Sequence, residues 1–568
     1  MRNRLIDHAQ NPLRAFIVLL AFAVGFGSIF VRLVHLTTLD LAEPIMARSG
    51  PSHARPDILD RNGEILARDI VMFSVFAEPR RVVDPDETVE RLLTALPELN
   101  AADLHRRLSG RAGFIWIQRS ITPAKQQEIH NLGLPGIGFR EEVRRLYPNG
   151  AAAAQVLGAV NIDNHGIAGI ERWIDENGLN GLRTAGMRYE RQDLDPVELS
   201  VDLYVQHAFT DEMRKAIEHY DAIGGAGLVL DVTNGEVLSL VSLPDFDPNV
   251  PTDAQKKENI NRINVGVYEM GSTFKALTMA MALDSEAFNL HSVVDATHPL
   301  RFGRFSISDY RGEKRPLNMP EAFLVSSNIV FGKLAMQLGV DRHRQFLRDL
   351  GQLTRLTTEL PESAAPIVPR NWGAVNTATI AFGHGLAVTP LQAAMGVAAL
   401  VNGGRLLRPT FLRDTPVTER VIAEDVVSPR TGEALRYLMR LNGIDGSARR
   451  ASIAGYHVGG KTGTAEKVID GRYAKGKVMT SFMGLVPAHD PKYLVVVILD
   501  EPKPTAETHG FRTAGWNAVP TARNILERIL PMLRMAPQFE RPPQAFPNVV
   551  AARAHGFEHF LPGRPLVQ

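Results

Sequence analysis

The 568-residue chain contains no cysteine, which removes disulfides, thiol nucleophiles and cysteine-based metal sites together. That absence is compatible with an oxidising compartment. No H-E-x-x-H pair and no G-x-G-x-x-G loop occurs, so neither a metal nor another cofactor is expected. An excess of one charge is missing too: 63 Lys and Arg face 62 Asp and Glu, so no overall field draws the chain to nucleic acid. Internal repeats are also lacking. With 45% hydrophobic residues the chain has ample material for two or more folded cores.

What is present begins with an uncharged apolar run from Ala15 to Val31, prolonged past Arg32 by Leu33, Val34 and Leu36. Its length is near the minimum for a bilayer and predicts one transmembrane signal anchor over 15–36. Arg2, Arg4 and Arg14 precede it, so the tail 1–14 is expected in the cytoplasm and everything after the anchor across the membrane. No A-x-A cleavage site follows the run, which favours an anchor over a signal peptide.

Three short motifs carry chemistry, in one order: Ser272-Thr273-Phe274-Lys275, then Ser326-Ser327-Asn328, then Lys461-Thr462-Gly463-Thr464. A helix puts positions three apart on one face, so the Lys275 amine can sit beside the Ser272 hydroxyl and take its proton. A lysine acts as a base only when burial or a nearby cation lowers its pKa, and Lys461 is the candidate cation. Any one motif has a bland reading: Ser272 or Ser326 as a helix cap, Asn328 as a turn residue, Thr464 as a strand former. S-x-x-K, S-x-N and K-T-G each occur once, and in the order used by penicillin-recognising serine enzymes.

A rival motif overlaps the third. Gly455 to Thr462 fits the phosphate-binding pattern G-x-x-x-x-G-K-T, and the run Tyr493 to Leu499 ending at Asp500-Glu501 resembles a magnesium-holding strand. That loop needs a helix starting at its Lys-Thr pair. Gly463 interrupts at once and Asp470-Gly471 reads as a hairpin turn, so Lys461 is expected on a strand folded back along Ser481-Phe482.

The remaining patterning places these motifs. Arg55 to Ala67 reads as a strand, an Asn62-Gly63 turn and a strand, and Asp84 to Leu132 has helical spacing broken by Pro97 and Pro123. Gly166, Gly169 and Glu171 read as a turn. Leu228–Asp231 and Val237–Val241 form a hairpin around Asn234-Gly235, helices follow over 273–283, 327–338 and 390–401, and strands return at Val458, 478–486 and 493–499. Sheet, helices, sheet predicts an α+β domain whose two ends share an antiparallel sheet. The expected division is a tail 1–14, an anchor 15–36, a mixed α/β pedestal or dimerisation-type domain 37–198, a catalytic domain 199–537 and a Pro-rich, disordered tail 538–568. The seventeen histidines, His384 included, show no partner spacing.

From Asp60-Arg61-Asn62-Gly63 to Asp500-Glu501-Pro502-Lys503 the chain resembles the class B, monofunctional penicillin-binding proteins. Tyr268-Glu269-Met270-Gly271-Ser272 and Asp500 to Lys503 resemble the division-specific septal branch, with the elongation-specific branch as the alternative. The resemblance implies an α+β transpeptidase domain of serine β-lactamase type on an elongated pedestal, and a D,D-transpeptidase that cross-links peptidoglycan stem peptides ending in D-Ala-D-Ala and is acylated by β-lactams. It implies Ser272 as nucleophile, Lys275 as general base, and Ser326 with Lys461 as a proton relay. Asn328 would hold Lys275 and the substrate amide, Thr462 and Thr464 around Gly463 would bind the substrate carboxylate, and the amides of Ser272 and Thr464 would hold the oxyanion. Implied partners are a polytopic glycan polymerase of the FtsW kind and other division proteins, at the inner membrane with the catalytic domain periplasmic. The chain departs from the family at Pro56, where glycine is usual. The E-x-x-L-N pattern of class A β-lactamases occurs only at Glu176 to Asn180, ahead of the nucleophile, so slow deacylation is expected. No glycosyltransferase signature precedes the acylating domain. A non-catalytic β-lactam sensor or division scaffold is the alternative of another class.

Overall fold

The computed structural model describes residues 12–40, 54–184, 193–469 and 471–539. It separates into two compact units, Met1–Ser52 with Val71–Val143, and His53–Ile70 with Arg144–Gln568. The predicted tail 1–14 and the Pro-rich tail lie almost wholly outside the described residues, as does Asp470 of the predicted turn.

In the smaller unit the apolar run is helical, within Pro12–Asp40, and Phe16, Leu19, Phe22, Phe26, Phe30 and Val31 are exposed. Among the described residues, however, no helix is long and apolar enough to cross a membrane. Three helices follow, Pro85–Ala95, Ala101–Leu108 and Pro123–His130, each opened by a side-chain cap from Asp84, Asn100 or Thr122. They enclose Val75, Leu92, Leu104, Leu108, Ile117 and Ile121. The helical spacing expected across 84–132 fails at Ile115–Ile121, which is a strand paired with Phe73–Ala77. The β-branched and aromatic run Ile115-Trp116-Ile117 decides that stretch.

In the larger unit, a hairpin turn at Asn62-Gly63 joins Ile58–Leu59 to the strand that begins at Ile65, as the sequence predicts. The Gly166–Glu171 stretch does more than turn. Glu171, fully buried, accepts from Arg55 Nε at 2.7 Å and Arg145 Nε at 2.6 Å, while Arg55 Nη1 reaches Asp175 at 2.6 Å and Arg145 Nη1 reaches Asp69 at 3.1 Å.

The centre of this unit is a five-stranded antiparallel sheet with helices on both faces. In chain order the strands are β1 (Gly224–Asp231), β2 (Val237–Leu243), β3 (Gly459–Ile469), β4 (Arg472–Val486) and β5 (Tyr493–Asp500), in spatial order β3-β4-β5-β1-β2. Strands from both ends of the domain therefore share a sheet, with Tyr493 opposite Asp231 and Asp500 opposite Gly224. Alternation sends side chains to two cores. Val229, Val495 and Val497 meet helices α1 (Leu203–His219) and α7 (Ala518–Met532), while Leu228, Leu230 and Val496 face α2 (Lys275–Asp284), α5 (Pro390–Val401) and α6 (Pro429–Ile444). Between these lie α3 (Met319–Leu324) and α4 (Asn328–Leu338). Lys461 sits on β3 opposite Met483, and Gly463 opposite Ser481, so the Lys-Thr pair opens no helix and the phosphate-loop reading falls.

Candidate active site

Ser272 stands half-buried in a 3-10 turn, Gly271–Phe274, that runs directly into α2 at Lys275. The expected helix over 273–283 therefore begins differently, and the difference matters. A 3-10 turn eclipses residues three apart, which sets Lys275 over Ser272 more directly than an α-helix does. Gly271 has φ +54°, and a Cβ there would lie 3.2 Å from the carbonyl oxygen of Thr464, while a Cβ on Gly463 would lie 2.6 Å from Met270 O. The turn carrying Ser272 and β3 thus meet backbone to backbone, at a distance only glycine permits.

Lys275 is 0% exposed and Lys461 1%. Lys275 Nζ lies 2.5 Å from Ser326 O, 3.0 Å from Ser326 Oγ and 2.8 Å from Asn328 Oδ1. Lys461 Nζ lies 3.0 Å from the same Ser326 Oγ. Burial, then the charge of Lys461, drives the Lys275 pKa well below its ordinary value against an opposing pull from Asp309, and burial brings Lys461 to about 7. The Lys275 amine meets three oxygens at hydrogen-bond distance. Ser326 O and Asn328 Oδ1 can only accept, so they take the N–H bonds. The Ser326 hydroxyl, 3.0 Å from each amine, joins Lys275 to Lys461.

The turn between α3 and α4 holds Ser326 at φ +57°, uncommon for a residue with a side chain. The helix cap is Ser327, whose Oγ accepts from Val330 N at 3.1 Å and donates to Asp309 Oδ2 at 2.7 Å, so the capping alternative for Ser326 is set aside. Asn328 also donates through Nδ2 to Ser308 O at 3.1 Å. Thr462 is nearly buried, with its Oγ1 2.7 Å from Ser447 Oγ, and Thr464 Oγ1 accepts from Ala514 N at 3.1 Å. Ser272, Lys275, Ser326, Asn328, Lys461, Thr462, Gly463 and Thr464 therefore lie in one neighbourhood, and none of them is stranded elsewhere.

Several neighbours escaped the sequence reading. Asp309 and Ser447 lie on loops without periodicity. Glu269 accepts from Gly385 N at 2.8 Å and from the Tyr473 hydroxyl at 3.1 Å, and burial with Glu269 pushes Tyr473 up to about 12. The ring of His384 packs at a tilt against those of Phe382 and Tyr473, and burial lowers its pKa. The Gly383-His384-Gly385 flanks were the available signal, since Gly383 approaches Gly271 too closely for any side chain.

A serine three residues ahead of a buried lysine whose pKa is lowered, with a second buried lysine meeting the first at the Ser326 hydroxyl and an open strand edge alongside, suits a serine acyltransferase working through an acyl-enzyme. The family model "Penicillin binding protein transpeptidase domain" matches residues 225–527, and "Penicillin-binding Protein dimerisation domain" matches 52–182. The chain belongs to the class B penicillin-binding proteins. The probable peptidoglycan D,D-transpeptidase FtsI of Caulobacter vibrioides is 39% identical over 495 residues, covering 85% of this chain and 82% of that one. The probable peptidoglycan D,D-transpeptidase PenA of Neisseria meningitidis is 30% identical over 554 residues, 92% of this chain and 93% of that one. The crystal structure of Penicillin Binding Protein 2X from Streptococcus thermophilus shares the fold, with a TM-score of 0.67 at 21% identity over 85% of this chain and 80% of that one.

Proposed function

We propose that this chain is a peptidoglycan D,D-transpeptidase of the septal kind, with Ser272 as nucleophile. The observation that carries the reading is the pair of buried lysines meeting at the Ser326 hydroxyl. Ser272 Oγ attacks the carbonyl between the last two D-alanines and its proton passes to Lys275. The C–N bond breaks as a proton reaches the departing amine by way of Lys461 and Ser326, releasing D-alanine. An amine of a second stem peptide then attacks the acyl-enzyme, forms the cross-link and returns Ser272. The amides of Ser272 and Thr464 hold the oxyanion, Thr462 and Thr464 the terminal carboxylate, and Asn328 the substrate amide. β-Lactams acylate the same serine.

We assign 199–537 to the transpeptidase domain, 37–198 to the pedestal and 15–36 to a single-pass inner-membrane anchor with the tail 1–14 cytoplasmic. The exposed phenylalanines of Pro12–Asp40 support the anchor. A glycan polymerase of the FtsW kind and other division proteins are the partners this arrangement suits. The test is intact mass after benzylpenicillin: one stable adduct is expected on the wild type and none on Ser272→Ala, and an adduct on that variant refutes the assignment. Normal septal cross-linking by cells carrying only Ser272→Ala would favour a scaffold, and a fluorescent fusion along the sidewall instead of the septum would favour the elongation branch.

A further inference from the structure

Strand β3 is the last strand of its sheet, so only one of its edges is paired. Backbone groups along a strand turn alternately toward the partner and away. At Val458 and Gly460 the carbonyls that turn away from β4 are both occupied by α6: Arg440 Nη1 donates to Val458 O at 2.7 Å and Asn442 Nδ2 to Gly460 O at 2.7 Å. The register runs without a break as far as Glu466, so Thr462 and Thr464 present their backbone groups on the same open edge.

Asn442 is fully buried and belongs to no predicted motif. Its Oδ1 accepts from Ser447 N at 3.0 Å and Ser447 Oγ at 3.3 Å, and Ser447 Oγ lies 2.7 Å from Thr462 Oγ1. One amide thus grips the residue before Lys461 and, through Ser447, the residue after it. Glycines bring α6 close enough: a Cβ on Gly443 would lie 2.3 Å from Val458 O, and one on Gly459 2.9 Å from Arg440 N.

We propose that Asn442, seconded by Arg440, is a positioning residue for acylation, closing the free edge of β3 up to Gly460 so that it opens to substrate only from Thr462 onward. This rests on the reading that Lys461, Thr462 and Thr464 serve acyl transfer. Lys461 stays dry and aimed at Ser326 because the strand beneath it is held on both edges, by β4 on one side and α6 on the other. Losing the α6 grip lets the strand swing and water reach the amine, which faces Lys275 across Ser326.

The experiment measures benzylpenicillin acylation of the full chain in detergent, separating k2 from K, across pH, with thermal midpoints. Asn442→Ala is expected to lower k2/K by about tenfold at pH 7 and to move the alkaline limb of the profile upward, as Lys461 regains hydration. Leu438→Ala, a buried packing change on the same helix, is expected to lose at least as much thermal stability while keeping k2/K within about threefold. Asn442→Ser, the milder change, should show the same upward shift with a smaller loss. An unshifted limb in Asn442→Ser, or equal losses in Leu438→Ala and Asn442→Ala, overturns the inference. A wild type that benzylpenicillin does not acylate defeats the underlying function instead.

Discussion

Around Arg55 the larger unit buries two arginines against three carboxylates, whereas around Ser326 it buries two lysines that form no ion pair among the described residues. Both clusters are cut off from water, yet their charges are resolved in opposite ways. In the first, burial would push Glu171 up, but Arg145 and Arg55 more than offset it and hold the carboxyl below its usual range, so Glu171 stays ionised and ties distant segments of the chain together. In the second no carboxylate forms an ion pair with either lysine among the described residues, and burial lowers both lysine pKa values against only a lesser pull from Asp309 on Lys275. Balanced buried charge is structure; unbalanced buried charge is stored reactivity.

The largest expected effect comes from removing the reactive half. Lys275→Met should lower benzylpenicillin acylation by about 10²- to 10⁴-fold while raising the thermal midpoint, since an apolar side chain suits that site better than an amine. Acylation near the wild-type rate in that variant would transfer the base role elsewhere. Breaking the balanced half should do the reverse. Glu171→Ala strands two buried arginines, and a loss of about 3–5 kcal/mol is expected by denaturant titration, with near-normal acylation of whatever remains folded.

How much of this was visible in the letters differs between the clusters. The lysine cluster was legible because its chemistry requires fixed spacings, three residues from Ser272 to Lys275 and two from Ser326 to Asn328, and the hairpin turns predicted at Asn62-Gly63 and Asn234-Gly235 were legible for the same local reason. The arginine cluster was not, since Arg55, Asp69, Arg145, Glu171 and Asp175 are joined only by tertiary folding. Likewise the strand Ile115–Ile121 lost to a helical period, and Asn442 gives no sign of its role until α6 is laid against β3.

A third consequence follows from the sign of the lysine shifts. Above about pH 7 Lys461 gives up its proton, so acylation should fall by about tenfold per pH unit once the relay lacks its cation. Stability should move the other way. Between about 7 and the ordinary lysine range the unfolded chain binds a proton that the folded chain does not, so the thermal midpoint gains from Lys461 as pH rises. In Lys461→Met that gain should vanish. A wild type whose slope matches the variant's would show that the amine is solvated.

The smallest expected effect concerns backbone instead of charge. Ser326 pays for its place between the lysines with a left-handed φ of +57°, a conformation costing roughly 1 kcal/mol for a residue with a Cβ. Glycine escapes that cost, so Ser326→Gly offsets part of what it loses in hydrogen bonds to Lys275 and Lys461, whereas Ser326→Ala keeps the strain and loses the same bonds. Both should acylate slowly, because the proton path needs the hydroxyl. The glycine variant should nevertheless melt above the alanine variant. If alanine proves the more stable, the turn is not strained and its geometry owes nothing to the relay it supports.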